Sequence, residues 1–141
     1  MTHGVPISEA VSLALHSVAY IAAQDGQSSV RDISSRLEVS EFHLSKVLQQ
    51  LAKGGLLRST RGPQGGFCMA RKSESLTLLD VYEAIEGPVR DHKCLMRKKS
   101  CGKKACILGD SMETMWDIFR KHLKSTRISD ISDIYRQEAD A

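Results

Sequence analysis

Aromatic side chains are scarce, at 5% of the 141 residues, and a chain so poor in them has little with which to stack single-stranded bases. No apolar run approaches the roughly eighteen residues needed to span a bilayer, and no basic-then-apolar pattern opens the chain. A soluble, cytoplasmic protein with no membrane partner is the expectation. The formal net charge is only +3, so the overall balance demands no anionic partner, and local charge has to make any such case. Internal repeats and low-complexity tracts are missing as well. Four cysteines without an export signal argue for thiol, metal or redox chemistry and against a disulfide frame. There is no Ser–His–Asp grouping, no glycine-rich loop opening directly into a helix, and no paired acids in a cleft pattern. The chain reads as a non-enzyme.

What is present begins with helical periodicity. Val11, Leu15, Val18 and Ala22 recur at helical spacing while Glu9, Ser12 and His16 share the opposite face, which predicts an amphipathic first helix. Ser29, with Asp32 three residues on, caps a short helix through Leu37. Ser40 then caps a third helix with the apolar stripe Leu44, Val47, Leu48 and Leu51, ended by Gly54 and Gly55. Two alternating runs, Leu56 to Arg61 and Phe67 to Arg71, flank the break Gly62-Pro63-Gln64-Gly65-Gly66 and predict a β-hairpin. Thr77 and Asp80 cap another helix, stopped by Gly87-Pro88.

Between residues 90 and 106, seven Lys or Arg accompany one acid and three cysteines, which marks a loop with chemistry. Beyond it Leu108, Met112, Met115, Trp116, Phe119 and Leu123 mark a long helix that Ile128, Ile131 and Ile134 extend past Ser125-Thr126. Its stripe is too large to leave in water on a small protein, so it is expected to hold a homodimer. The fold class expected is mainly α with a small β-hairpin, a winged helix–turn–helix plus a long C-terminal dimerisation helix. Residues 1–88 would form the DNA-binding unit, 89–106 the cysteine loop, and 107–141 the dimerisation helix and tail.

Two short helices joined by a tight turn, the second with an exposed polar face, suit the major groove of double-stranded DNA. Burial of the Leu44–Leu51 stripe leaves His43, Ser45, Lys46 and Gln49 to reach base edges or phosphates. Arg58 and Arg61 lead into glycines that allow close backbone approach, and Arg61 at the wing tip is the candidate for the narrow minor groove.

Cys94, Cys101 and Cys106 are separated by six and four residues, unlike the two-residue gaps of zinc fingers. Three thiolates so spaced suit an iron–sulfur cluster, 2Fe-2S or 4Fe-4S, whose negative charge the surrounding lysines would offset. Zinc and a cluster-free thiol redox switch remain the alternatives, and the plainer reading of any one lysine is a solvated side chain. A zinc-stabilised interaction adaptor is the competing function.

Several stretches resemble the IscR and NsrR family of bacterial winged-helix regulators. They are Ala14 to Ala22, Leu44 to Leu57, Arg61-Gly62-Pro63-Gln64-Gly65-Gly66-Phe67 and Leu76 to Val81, and with the three downstream cysteines the resemblance covers nearly the whole chain. The resemblance implies a homodimeric repressor on a roughly palindromic operator, with the third helix in the major groove and Arg61 in the minor groove. It also implies cluster control of DNA binding by nitric oxide, redox state or iron–sulfur status. Family cysteines commonly stand five and five residues apart, so Cys101 is displaced by one position here. The family's non-cysteine ligands, an acid of the first helix or a histidine after the third cysteine, fall on Ser12 and Gly109. His16, one turn from Ser12, is the favoured replacement, with Glu9 and Asp110 as further options.

Overall fold

The hydroxyl caps read at Ser29, Ser40 and Thr77 all start helices in the computed structural model, which describes residues 7–89 and 106–136, and Ser8 adds a fourth that the sequence reading missed. Ser8 Oγ accepts from the Val11 amide and starts α1, Glu9–Ala23. Ser29 does the same for Asp32 at the head of α2, Val30–Leu37, and Ser40 for His43 at the head of α3, Glu41–Lys53. At α4, Leu78–Glu86, Thr77 and Asp80 form a complete capping box. Each such cap satisfies an otherwise orphaned amide and is worth about 1 kcal/mol.

The turn between α2 and α3 is short because Glu38 adopts the left-handed region at φ 55°, which lets the amides of Glu38 and Val39 both bond Ser34 O. A side chain in that region costs about 1–2 kcal/mol, which the two bonds offset. After α3, β1 (Leu57–Thr60) pairs antiparallel with β2 (Gly66–Met69), Leu57 opposite Met69 and Thr60 opposite Gly66. Ser28 adds an isolated rung outside this ladder, exchanging two backbone bonds with Phe67 at 2.9 and 2.8 Å. That rung fastens the loop before α2 to the wing.

The core joins Val11, Val18 and Ile21 of α1 to Ile33, Leu44, Leu48, Leu51, Leu76, Val81, Leu123 and Ile128. Burial on α1 is wider than one face, since Leu13, Ser17 and Ala19 are also enclosed. The cause lies at the other end of the chain. The long helix α5, Ser111–Ser125, stops where Thr126 turns extended, so it does not run on through Ile128, Ile131 and Ile134 as their spacing suggested. Leu78 N donates to Thr126 O and Ile128 N to Leu76 O, a backbone bridge that turns the chain back across α1. The short helices α6 (Ile128–Ile131) and α7 (Asp133–Arg136) then pack on α1, with Tyr135 edge-on to Tyr20 and beneath the Arg36 guanidinium.

The apolar stripe of α5 divides in two. Trp116 and Leu123 are buried within their own chain, and Phe119 sits edge-on between Tyr82 of α4 and Trp116, with ring centroids 6.0 and 6.1 Å away. Met115 and Ile118, with Leu108 and Ile107 just before the helix, remain in water. Ile118 was absent from the stripe read in the sequence. Among the described residues no helix is long and apolar enough to cross a membrane.

Candidate nucleic-acid interface

The buried stripe Leu44, Val47, Leu48 and Leu51 fixes the roll of α3 and leaves Phe42, His43, Lys46 and Gln49 exposed, with Ser45 half-buried. The structure thus places His43, Ser45, Lys46 and Gln49 on α3, three of them exposed and Ser45 half-buried. Lys46 Nζ lies 4.3 Å from the centre of the Phe42 ring, one helical turn back, where the π face attracts its charge. The back of the helix is also held: Gln50 Nε2 donates to the carbonyls of Ala84 and Ile85 at 3.2 and 3.1 Å, joining α3 to the last turn of α4.

In the wing, Arg58 and Arg61 are both exposed. Arg61 occupies the start of the tip, and the turn beyond it is tight because the Gly65 amide bonds Gly62 O at 2.9 Å and Gly62 sits at φ 111°. A Cβ at Gly65 would lie 2.3 Å from Thr60 O, so no other residue fits there without moving backbone. Gln27 Nε2 donates to Thr60 Oγ1 at 2.6 Å, and Gln27, Thr60, Arg61, Pro63 and Gln64 line one shallow concavity beside the tip. Sequence reasoning missed Gln27 and Gln64. Periodicity could not reveal Gln27, because its hydrogen bond to Thr60 joins segments 33 residues apart.

The proposed metal ligands are placed in part. Cys94 and Cys101 lie outside the described residues, and Cys106 is an exposed free thiol. His16 is exposed on α1, with Nδ1 2.7 Å from Ser12 O. A carbonyl can only accept, so this contact uses Nδ1–H and leaves Nε2 as the ring nitrogen open to a partner. Glu9 and Asp110 are exposed too. Among the described residues, no three of His, Cys, Asp and Glu converge as a metal site.

A helix–turn–helix with a polar reading helix, tied to a basic two-stranded wing, defines a winged-helix DNA-binding protein. The Rrf2 family, described as iron-dependent transcriptional regulators, matches residues 7–134. This chain belongs to that family, and it is a DNA-binding transcriptional regulator and not an enzyme. It is 29% identical over 131 residues to a protein of Aquifex aeolicus (strain VF5) named only as a helix–turn–helix-type regulator, covering 90% of this chain and 91% of that one. It is 29% identical over 121 residues to the regulator IscR of Yersinia enterocolitica, covering 84% of this chain and 66% of that longer protein. In fold it is similar to CymR, the global cysteine regulator of B. subtilis, with a TM-score of 0.76 and 22% identity over 93% of this chain and 98% of that one.

Proposed function

We propose that the protein is a homodimeric repressor whose operator binding is controlled by an iron–sulfur cluster held by Cys94, Cys101, Cys106 and His16. Each protomer would lay α3 in the major groove and Arg61 in the adjacent minor groove of a roughly palindromic duplex. The exposed face Leu108, Met115 and Ile118 would pair with the same face of a second copy.

The donor set suits such a cluster: three thiols from one segment, with Cys106 exposed, and an imidazole nitrogen made available by the Ser12 carbonyl. The bound group would supply a redox- and nitric-oxide-sensitive anchor for the cysteine segment. One observation carries the link to DNA. The last turn of α4, immediately before that segment, is bonded through Ala84 and Ile85 to Gln50 of the reading helix, and through Glu86 to the Ser8 cap of α1. A pull on the end of α4 therefore reaches α3 through two hydrogen bonds.

The test is anaerobic purification of the intact protein, followed by iron, sulfide and zinc analysis, a visible spectrum and duplex titration at two salt concentrations. Iron and sulfide in equal amounts, and operator affinity that changes on exposure to nitric oxide, support the proposal. Alanine at Arg61 should weaken operator binding by about 1–3 kcal/mol without unfolding the protein. His16→Ala should alter the spectrum, and an unaltered spectrum removes His16 from the ligand set. Zinc in place of iron, or metal-free protein whose DNA binding follows thiol oxidation, overturns cluster control in favour of the zinc or thiol-switch reading.

A further inference from the structure

The chain has three phenylalanines, and two of them are packed: Phe67 is 7% exposed in the wing and Phe119 lies between Tyr82 and Trp116. Phe42 is 70% exposed. It stands in the first turn of α3, with Glu41 and His43 exposed on either side and Lys46 over its ring. Scattered surface phenylalanines need no explanation in general. This one occupies the end of a recognition helix whose N-terminal residues meet base edges, on a face that is otherwise polar.

In the major groove, one base carries an apolar feature. Thymine alone presents a C5-methyl group, and an apolar side chain is what reads it. Lys46 adds a constraint. A cation 4.3 Å above one face of the ring discourages free rotation of Phe42 and leaves the opposite face and edge for contact.

We infer that Phe42 is a specificity-determining residue that selects thymine in each operator half-site by packing its ring against the thymine methyl. The inference rests on the reading above that α3 enters the major groove. Lys46, positioned by the same ring, is then delivered beside the selected base to bond a phosphate or a purine acceptor. The Phe42–Lys46 pair acts as a unit, with the ring choosing the base and the ammonium holding register.

The experiment uses the full-length protein and a duplex selected by it from a randomised pool. Each thymine is replaced singly by deoxyuridine, which removes only the methyl group. Wild-type binding is expected to fall about fourfold at one thymine per half-site, the equivalent of one buried methyl-sized group. Phe42→Ala should bind the parent duplex more weakly and lose that particular uracil penalty, keeping any others, and Phe42→Leu should restore part of it. Because the ring is exposed, both variants should melt with the wild type. A Phe42→Ala protein with an undiminished uracil penalty, or a wild type indifferent to every uracil, overturns the inference. Purines lacking N7 separate the two levels of failure. If they weaken binding and uracil does not, Phe42 is not a thymine reader although α3 occupies the groove. If neither substitution matters, the major-groove docking itself is wrong and the inference falls with it.

Discussion

Replacing Gly66 by alanine should loosen the wing and lower stability together. The new Cβ would sit 2.3 Å from Ser28 O and 2.7 Å from Ser28 C, closer than any side chain tolerates, and both obstacles are backbone. Relief requires the Ser28 strand to withdraw from β2. That breaks the reciprocal pair between Ser28 and Phe67, two bonds of 2.9 and 2.8 Å. At about 0.5–1.5 kcal/mol each, their loss amounts to roughly 1–3 kcal/mol. For a chain of this size each kcal/mol shifts Tm by about 3–4 °C, so a fall of about 3–12 °C is expected by circular dichroism at fixed protein concentration. Gly54→Ala is the control. Its backbone is already right-handed at φ −76°, and its nearest obstacle, the Ala84 Cβ at 3.4 Å, is an ordinary contact, so it should stay within about 0.5 kcal/mol of the wild type. Operator affinity of Gly66→Ala, measured well below its Tm, should also drop, since Gln27 and the wing lose their common mooring. An unchanged Tm together with unchanged affinity would refute the claim that the rung fastens wing to helix pair.

Other outcomes follow from groups already described. Ser17 Oγ is fully buried with no partner among the described residues, so Ser17→Ala should be neutral or stabilising by up to about 1 kcal/mol in urea denaturation; a clear loss would mean the hydroxyl is satisfied after all. Burial first, and the Glu86 charge second, push the Tyr82 phenol above 10.0. Its contribution is therefore intact below the unfolded value and is lost as pH rises through the higher folded one. Tyr82→Phe should flatten the alkaline decline of the urea midpoint, and an identical decline would exclude Tyr82 as its source. Glutamate at both Met115 and Ile118 should give folded monomers in sedimentation, whereas the same change at Phe119 should unfold the chain, because that ring belongs to the protomer's own packing. Gln27→Ala should weaken operator binding by about two- to tenfold, and by much less once Arg61 is already alanine; equal effects in both backgrounds would deny Gln27 any role in placing the tip.

Local signals carried most of the fold. Ser29, Ser40 and Thr77 are legible because a helix N-terminus requires an acceptor within three residues, and the Gly62–Gly66 run because a tight turn favours residues without side chains. The exposed polar face of α3 was legible by subtraction, once Leu44, Val47, Leu48 and Leu51 were assigned inward. What escaped was every feature made by two distant segments. The hydrogen bonds from Gln27 to Thr60 and from Gln50 to Ala84 and Ile85 join residues more than thirty positions apart, and no periodicity encodes them. The helix extension through Ile134 went astray for a related reason. Ile128, Ile131 and Ile134 do fall at helical spacing, but the extended Thr126 and Arg127 are held by the strand-like Leu76 and Thr77, and two short helices form in place of one long one. Trp116, Phe119 and Leu123 were read as part of a dimer seam, but they pack within their own chain, because an apolar stripe does not say whether its neighbour lies in the same chain or in another.

The bridge between Leu76–Thr77 and Thr126–Ile128 also governs how the molecule comes apart. Ile128 lies wholly inside the core alongside Val11 and Leu76, so the last helices share one melting unit with the first. Peeling α5 away from the reading head would expose Leu123 and Ile128 and strip backbone partners from both sides at once. Denaturation should accordingly run as one cooperative transition in which the wing, the reading helix and the long helix lose structure together. A chain cut after α4 would keep every residue of the reading face and yet lose the lining that keeps α1 dry, and its product would be an aggregation-prone fragment, not a miniature DNA binder.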